Sequence, residues 1–179
     1  TQIPNIFGKL LYGSKFHRLR MSRGQQGIGI SAASMYGQLT TGKATRVISR
    51  TAARRLANCY EMQIDTARNK PQIVREEQCE WHQQQGTQVE IEMEARYQRG
   101  RQSVEEYLRQ TALANPHLQL LYTAPDGREE LYERSNEEMP QEAQEIKPHP
   151  HGIELGVLMK MLQVTLHRTL QGFLTQEFS

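Results

Sequence analysis

The sequence predicts an α+β fold, in which a mixed, mainly antiparallel sheet has helices on one face. Three patterns lead to this prediction. Three glycines precede a helical run of small and apolar residues, several later segments alternate apolar and polar residues as strands do, and the connections between them are short. At 179 residues and 37% hydrophobic content, the chain has room for one domain, or for one domain and a piece of another.

The first forty residues predict two helices joined by a basic connection. Pro4 suits a helix start within residues 3–12, and a second helix is expected from Ile28 to Leu39, with Gly42 as its left-handed cap. Two interpretations of the basic connection stay open, namely counter-charges for phosphate groups or a solvated basic loop. Its basic residues are Lys15, His17, Arg18, Arg20 and Arg23.

The middle of the chain predicts several strands. Residues 45–51 form a short segment rich in β-branched side chains. Residues 60–65 alternate apolar and polar side chains, and a weaker strand begins at Ile73. The clearest strand is expected over residues 87–95, where apolar positions alternate with glutamates. We therefore expect these glutamates to form a solvent-exposed strand face and not a carboxylate site.

The following segments predict a capped helix and a hairpin. Ser103 and Glu106 form a capping-box pattern, and Asn115-Pro116 ends the helix. Two strands, residues 118–123 and 129–134, then flank the turn sequence Ala-Pro-Asp-Gly.

The C-terminal part changes character after about residue 136. Residues 136–152 are rich in proline and acids and predict an extended linker. Helices are expected over residues 152–163 and from a Thr169 cap onward. His149 and His151 are interpreted as linker histidines and not as metal ligands, because no third ligand is near.

The cysteines and the hydropathy point to an intracellular protein. Cys59 and Cys79 are expected to be reduced and buried, with a disulfide as the alternative. Mean hydropathy is −0.71, and no run of residues approaches the length of a membrane-spanning helix. The net charge of +2 does not decide for or against a nucleic-acid partner.

The glycine segment carries the first functional signal. Gly24, Gly27 and Gly29 lie just before a helix, where glycine lets the backbone approach a ligand and the helix start adds partial positive charge. This arrangement predicts a phosphate cradle. It lacks the Lys-Ser/Thr ending of a Walker loop and the preceding strand of a dinucleotide fold.

Several long motifs in one order resemble the B subunits of DNA topoisomerase VI. Residues 3–17 read Ile-Pro-Asn-Ile-Phe-Gly-Lys-Leu-Leu-Tyr-Gly-Ser-Lys-Phe-His, and residues 22–33 read Ser-Arg-Gly-Gln-Gln-Gly-Ile-Gly-Ile-Ser-Ala-Ala. Gln-Leu-Thr-Thr-Gly-Lys follows at residues 38–43, and Lys-Pro-His-Pro-His-Gly-Ile-Glu-Leu-Gly occupies residues 147–156. The likeness also includes Gly86-Thr87 and Glu-Tyr-Leu-Arg-Gln-Thr-Ala at residues 106–112, and covers essentially the whole chain.

The resemblance implies a partial GHKL (Bergerat) ATPase fold, a two-layer α/β sandwich. Residues 1–136 would be the C-terminal part of the ATPase domain, with the ATP lid, glycine box and sheet. Residues 137–179 would be a linker and the first helices of a helix–two-turn–helix domain. The family's first two nucleotide boxes, with the water-activating Glu and the adenine-reading Asp, are not found, so we expect an internal portion that alone does not hydrolyse ATP.

The resemblance also implies the ligands. ATP would bind here with Mg²⁺, assisted by residues outside this chain, and no catalytic residue or metal ligand is assigned within it. Residues 24–29 resemble the third nucleotide box, Gly86-Thr87 the fourth, and two lid residues would contact the nucleotide. The implied nucleotide-binding residues are Ser14, Lys15, Gly24, Gln25, Gln26, Gly27, Ile28, Gly29, Ile30, Ser31 and Thr87.

The implied function is that of an ATP-dependent type IIB DNA topoisomerase, which relaxes or decatenates DNA by double-strand passage. ATP binding would drive dimerisation of two B subunits, and the other partners would be the topoisomerase VI A subunits and double-stranded DNA. A cytoplasmic, nucleoid-associated protein with no membrane contact is expected. The alternative is a non-catalytic, partner-binding module with the same fold, against which the intact glycine box argues. A histidine kinase or chaperone of the same superfamily fits residues 147–156 less well.

Overall fold

The computed structural model describes residues 2–13, 24–52, 55–144 and 146–179, and it has the expected α+β architecture. The chain forms two compact units. The first unit comprises residues 1–93 and 143–179, and the second comprises residues 94–142. The basic connection and the predicted lid residues, Ser14 and Lys15, lie outside the described residues. The proposed boundary between residues 136 and 137 stays a prediction.

A four-stranded sheet forms the centre of the first unit. Its strands are β1 (Thr45–Arg50), β2 (Ala57–Asp65), β3 (Lys70–Cys79) and β4 (Gly86–Glu90), in the order β3-β2-β1-β4. Every pairing among these described strands is antiparallel. The mainly antiparallel sheet is thus confirmed, and the parallel pair that a mixed sheet requires does not occur among them.

Strand β4 is shorter than the alternation of residues 87–95 predicts. It ends at Glu90, which pairs with Arg46 near the start of β1. Because β1 begins at Thr45, the residues after Glu90 soon run beyond the neighbouring strand. The alternation of apolar and polar residues thus extends beyond the residues of β4 that pair with β1.

Two helices pack with the sheet in the first unit. They are α1 (Ile3–Gly8) and α2 (Gly29–Thr41). Phe7 of α1 is buried with Val47, Tyr60 and Met62 of the sheet, which form the main core cluster. The predicted cap of α2 is confirmed, because Gly42 has φ 71° and its N–H donates to the Gln38 carbonyl.

The opposite face of the sheet holds a smaller cluster and a disulfide. Cys59 is buried with Ile48 and Ala57, and it is bonded to Cys79 with the two Cα atoms 6.4 Å apart. The expectation of reduced thiols is therefore wrong. Cys59 lies opposite Glu77 and Cys79 lies opposite Ala57, so the cysteines are diagonal neighbours on adjacent strands. A separation of 20 residues in the sequence does not reveal this relationship.

The C-terminal part of the first unit is helical after an irregular stretch. A short 3₁₀ turn at Pro150–Gly152 precedes α4 (Leu155–Val164) and α5 (Leu170–Gln176). The predicted Thr169 cap is confirmed, since its hydroxyl accepts from the Gly172 N–H. Phe173 and Phe178 are buried, and their rings meet edge to face at 5.5 Å.

The second unit contains α3 (Val104–Ala114) and a hairpin of β5 (Leu120–Thr123) and β6 (Glu129–Tyr132). The hairpin turn is confirmed: Gly127 has φ 82° and donates to the Ala124 carbonyl. The Ser103 cap is confirmed by its bond from the Glu106 N–H. The Glu106 carboxylate accepts from Arg109 and Gln110, while the Ser103 N–H donates to the Gly100 carbonyl at 3.2 Å, so the second half of the capping box is not formed among the described residues.

Candidate functional site

The glycine segment adopts a backbone that requires glycine. Gly24 and Gly27 have φ values of 66° and 70°, in the left-handed region that side-chain-bearing residues rarely adopt. Among the described residues, no atom lies within 4 Å of a Cβ placed on Gly24 or Gly29. The segment is therefore a solvent-exposed turn leading directly into α2.

The start of α2 offers unoccupied backbone donors. Its N-cap is Ile28, which has no side chain able to accept a hydrogen bond, and the first helical bond runs from Ala32 N–H to the Ile28 carbonyl at 2.8 Å. The N–H groups of Gly29 and Ile30 therefore have no acceptor within the helix. Among the described residues, no other group accepts from them. Both residues are exposed, and the dipole of α2 places partial positive charge at this end of the helix.

The remaining predicted residues of the segment have different placements. Gln25 and Gln26 are exposed on the turn, and Ile28 is half-buried. Ser31 is fully buried, and its hydroxyl donates to the Ile28 carbonyl at 3.2 Å. The Ser31 hydroxyl is thus hydrogen-bonded to the first turn of α2.

Thr87 lies in the edge strand β4 with an exposed side chain. It stands opposite Ser49 of β1, and the two hydroxyl oxygens are 2.9 Å apart. Sequence reasoning missed Ser49, because its partnership with Thr87 depends on strand register. The Gly86 backbone beside it has φ 139°, and a Cβ there would lie 3.6 Å from the Trp81 ring.

The connection before Thr87 is fixed by an arginine. Arg50 at the end of β1 donates to the carbonyls of Trp81 and Gln83, at 2.9 and 3.2 Å. Trp81 packs against the cluster that contains the disulfide, as expected for a packing tryptophan. The segment that leads into Thr87 is therefore fixed by the hydrogen bonds of Arg50 and by the packing of Trp81.

Thr87 lies on the face of the sheet that α1 covers. Thr87 and Ser49 are two positions from the paired Val89 and Val47, and side chains two apart share a face. Val47 is buried against Phe7 on the helix-bearing face. Within the described residues, no hydrogen bond joins Thr87 to the glycine segment.

The far end of α2 is anchored to the sheet by a reciprocal amide pair. The Gln38 side chain donates to the Ile64 carbonyl at 3.1 Å and accepts from the Ile64 N–H at 2.7 Å. These bonds attach the C-terminal half of α2 to the sheet, whereas the glycine turn lies at the other end of the helix.

Other candidate sites are accounted for by local contacts. Glu90 and Glu92 are exposed and pair with Arg46 and Lys43 at 3.3 and 2.5 Å, so the expected exposure is confirmed, whereas Glu92 lies beyond the end of β4 and is not part of a strand face. The exposed His149 ring accepts from the His151 N–H. In the ranges that the structure describes, no group of three or more His, Cys, Asp or Glu residues could hold a metal ion.

A helix that crosses a lipid bilayer needs about 20 mainly apolar residues. Within residues 2–13, 24–52, 55–144 and 146–179, no helix has the length and apolar character needed to cross one.

The fold is α+β, and an exposed glycine turn leads into the start of α2. No protein-family model matches the chain. The chain is 52% identical to the type 2 DNA topoisomerase 6 B subunit of Methanosarcina barkeri over 178 residues, covering 99% of this chain and 29% of that protein. The B subunit of Archaeoglobus fulgidus is also 52% identical, with 99% and 30% covered, and that of Natronomonas pharaonis is 47% identical, with 99% and 22% covered.

These similarities confirm the resemblance drawn from the sequence. The chain is homologous to a segment of the type 2 DNA topoisomerase 6 B subunits. It spans about three-tenths of the length of the first of these relatives, 29% in the Methanosarcina barkeri protein.

Proposed function

We propose that this chain forms part of the ATP-binding site in the B subunit of an ATP-dependent type IIB DNA topoisomerase. One observation carries the proposal: two left-handed glycines deliver the chain to a helix start whose N–H groups are exposed and lack acceptors among the described residues. The names of the homologues support the assignment to such a protein. The GHKL two-layer sandwich is proposed on the same grounds.

The glycine turn would bind the phosphate tail of the nucleotide. Backbone N–H groups at a helix start hydrogen-bond phosphate oxygens, and the helix dipole favours negative charge there. Gly24, Gly27 and Gly29 allow the phosphates to approach the backbone without meeting side chains. Ser14 and Lys15 are proposed as lid contacts to the same tail.

Thr87 is proposed to lie on the base side of the site. Its exposed hydroxyl is at the sheet edge, on the helix-bearing side, as a group contacting adenine directly or through water would need to be. Mg²⁺ would neutralise phosphate charge, held by protein ligands outside this chain. The water-activating carboxylate would also come from outside it.

The output of nucleotide binding is proposed to be dimerisation. Contacts to the phosphates would favour a closed state of the lid, which is a population shift driven by ligand contacts. Two B subunits would then close around a DNA duplex and signal to the A subunits, which cut and pass DNA. The protein would act in the cytoplasm, associated with the nucleoid.

The test is nucleotide binding by the full-length protein that contains this chain. Gly27→Val forces a β-branched residue into φ 70°, which opposes the turn, and we expect ATP binding measured by calorimetry to be lost. Gly127→Val is the matched control, because Gly127 has φ 82° in the hairpin of the second unit, remote in sequence from the glycine segment. It should carry a similar backbone penalty and retain ATP binding.

Two results would contradict the proposal. Unchanged ATP affinity in a folded Gly27→Val protein would remove the glycine turn from the site. A full-length wild type that stays monomeric in sedimentation experiments with a non-hydrolysable ATP analogue would remove ATP-driven dimerisation.

A further inference from the structure

Ser49 of β1 and Thr87 of the edge strand β4 form a hydroxyl pair. Ser49 Oγ lies 3.3 Å from the Gly86 carbonyl oxygen and 2.9 Å from Thr87 Oγ1. A carbonyl oxygen can only accept, so both contacts are hydrogen bonds at once only when Ser49 donates to the Gly86 carbonyl and Thr87 donates to Ser49.

This direction determines what Thr87 can offer to a ligand. A threonine hydroxyl has one hydrogen and two lone pairs, and its hydrogen is used on Ser49. The outward side of the Thr87 oxygen can therefore only accept. A group that meets it directly must present a hydrogen, as the amino group of adenine does and the carbonyl oxygen of guanine does not.

We propose that Ser49 is a positioning residue that makes Thr87 a hydrogen-bond acceptor, and so favours an amino-bearing purine over a keto-bearing one. The inference rests on the proposed nucleotide-binding function and adds to it a residue and a base preference. Ser49 acts through Thr87 and is not itself a ligand contact. Its position in β1, directly opposite Thr87, is fixed by strand register.

The rigid surroundings support this role. The Gly86 carbonyl that orients Ser49 follows a connection held by Arg50 through the Trp81 and Gln83 carbonyls. The Gly86 backbone passes beside the Trp81 ring. The acceptor that fixes the Ser49 hydrogen is thus itself held in place.

The experiment compares two isosteric substitutions in the full-length protein. Ser49→Thr keeps the hydroxyl and Ser49→Val removes it, while both are β-branched residues suited to a strand. Calorimetry with ATP and with GTP gives the affinities, and thermal unfolding reports folding. We expect Ser49→Thr to match the wild type, and Ser49→Val to weaken ATP binding about fivefold to tenfold, the effect of one hydrogen bond. The ratio of ATP to GTP affinity should fall by a similar factor.

The Thr87→Val background distinguishes a positioning role of Ser49 from a general loss of structure. In Thr87→Val, removal of the Ser49 hydroxyl should change ATP affinity by less than about twofold, because its route to the ligand is gone. Thr51→Ala, which removes an exposed hydroxyl just after the same strand, should leave both affinities unchanged. Ser49→Ala is the second hydroxyl deletion and should reproduce Ser49→Val if that variant does not fold.

The outcomes separate this inference from the proposed function. A full-length wild type that binds neither nucleotide overturns both. Wild-type binding with an unchanged affinity ratio in Ser49→Val and Ser49→Ala overturns the role of Ser49 alone. A loss that persists fully in the Thr87→Val background overturns it as well, because Ser49 would then act without Thr87.

Discussion

Gly37 of α2 lies directly against the backbone at Glu92. A Cβ atom placed on Gly37 would be 2.7 Å from the Glu92 carbonyl oxygen and 2.6 Å from Ile91 Cγ2. Gly37 is buried, and it follows Ser31 and Ser34 at intervals of three residues on one face of α2. This row of small residues lets the helix approach the chain just beyond β4.

The close approach predicts that Gly37→Ala is destabilising, although alanine favours helices. The added methyl meets a backbone oxygen, which cannot rotate away as a side chain could, and overpacking of this kind costs about 1–3 kcal/mol. The free energy of unfolding from urea titration of the full chain measures the effect. Gly156→Ala in α4 is the control, because a Cβ there meets nothing within 4 Å. It should be neutral or stabilising, by up to about 1 kcal/mol. Equal stability of the two variants would contradict the packing described here.

The disulfide predicts a stability that depends on redox conditions. Cys59 and Cys79 are 20 residues apart, and closing a loop of this size stabilises a fold by about 3 kcal/mol through the unfolded chain. We expect Cys59→Ser/Cys79→Ser to lose about this amount in urea titrations. A dithiol reductant should destabilise the wild type and leave the double variant unchanged. A wild type with two free thiols after purification without reductant would show that the bond does not form.

A row of alternating charges crosses the sheet on the face opposite α1. Arg46 lies opposite Glu61 on one side and Glu90 on the other, and Glu61 also lies opposite Arg75. Cross-strand pairs of opposite charge contribute a few tenths of a kcal/mol to about 1 kcal/mol, and like charges reverse the sign. Arg46→Glu should therefore destabilise the chain by about 1 kcal/mol or more, and less so at high salt.

The charge-swapped variant controls for this prediction. Arg46→Glu combined with Glu90→Arg restores a pair of opposite charges at this position, where a guanidinium nitrogen of Arg46 lies 3.3 Å from a carboxylate oxygen of Glu90. It should recover part of the lost free energy of unfolding, while the repulsion from Glu61 persists. No recovery would mean that side-chain packing, and not charge, determines the effect.

The features that could be predicted from the sequence are local ones. The Gly42, Ser103 and Thr169 caps were predicted because a cap depends on residues within one helical turn. The hairpin turn before Gly127 was predicted for the same reason. Each of these features involves neighbours that can be read directly from the sequence.

Features that depend on strand register were not predicted. The Cys59–Cys79 bond, the end of β4 at Glu90 and the Ser49–Thr87 pair all follow from which residues face each other across the sheet. The hydrophobic pattern limits that register without fixing it between segments 20 or more residues apart. The glycine turn was identified because its function depends on a local backbone, whereas the partner of Thr87 was not.

The second unit predicts a pH dependence of its own. The Tyr97 hydroxyl donates to the Glu105 carboxylate, which lowers the pKa of Glu105 and raises the pKa of Tyr97 above its ordinary value of 10.0. Hydrogen bonds from Gln110 and Arg109 lower the pKa of Glu106. A lowered carboxyl pKa means that the unfolded chain binds protons first as the pH falls. The carboxylates thus stabilise the unit above about pH 4.5, and this contribution is lost as the pH falls through their lowered pKa values.

At high pH the sign is opposite for Tyr97. Its raised pKa means that the folded chain retains the phenol proton longer, so its contribution is present below about pH 10 and is lost as the pH rises further. Tyr97→Phe removes this donor. NMR titration of the Glu105 carboxyl should then show a pKa closer to the ordinary carboxyl value, while the pKa of Glu106, which has its own donors, should not change. If the pKa of Glu105 is the same in both proteins, the Tyr97 hydroxyl is not what stabilises its carboxylate.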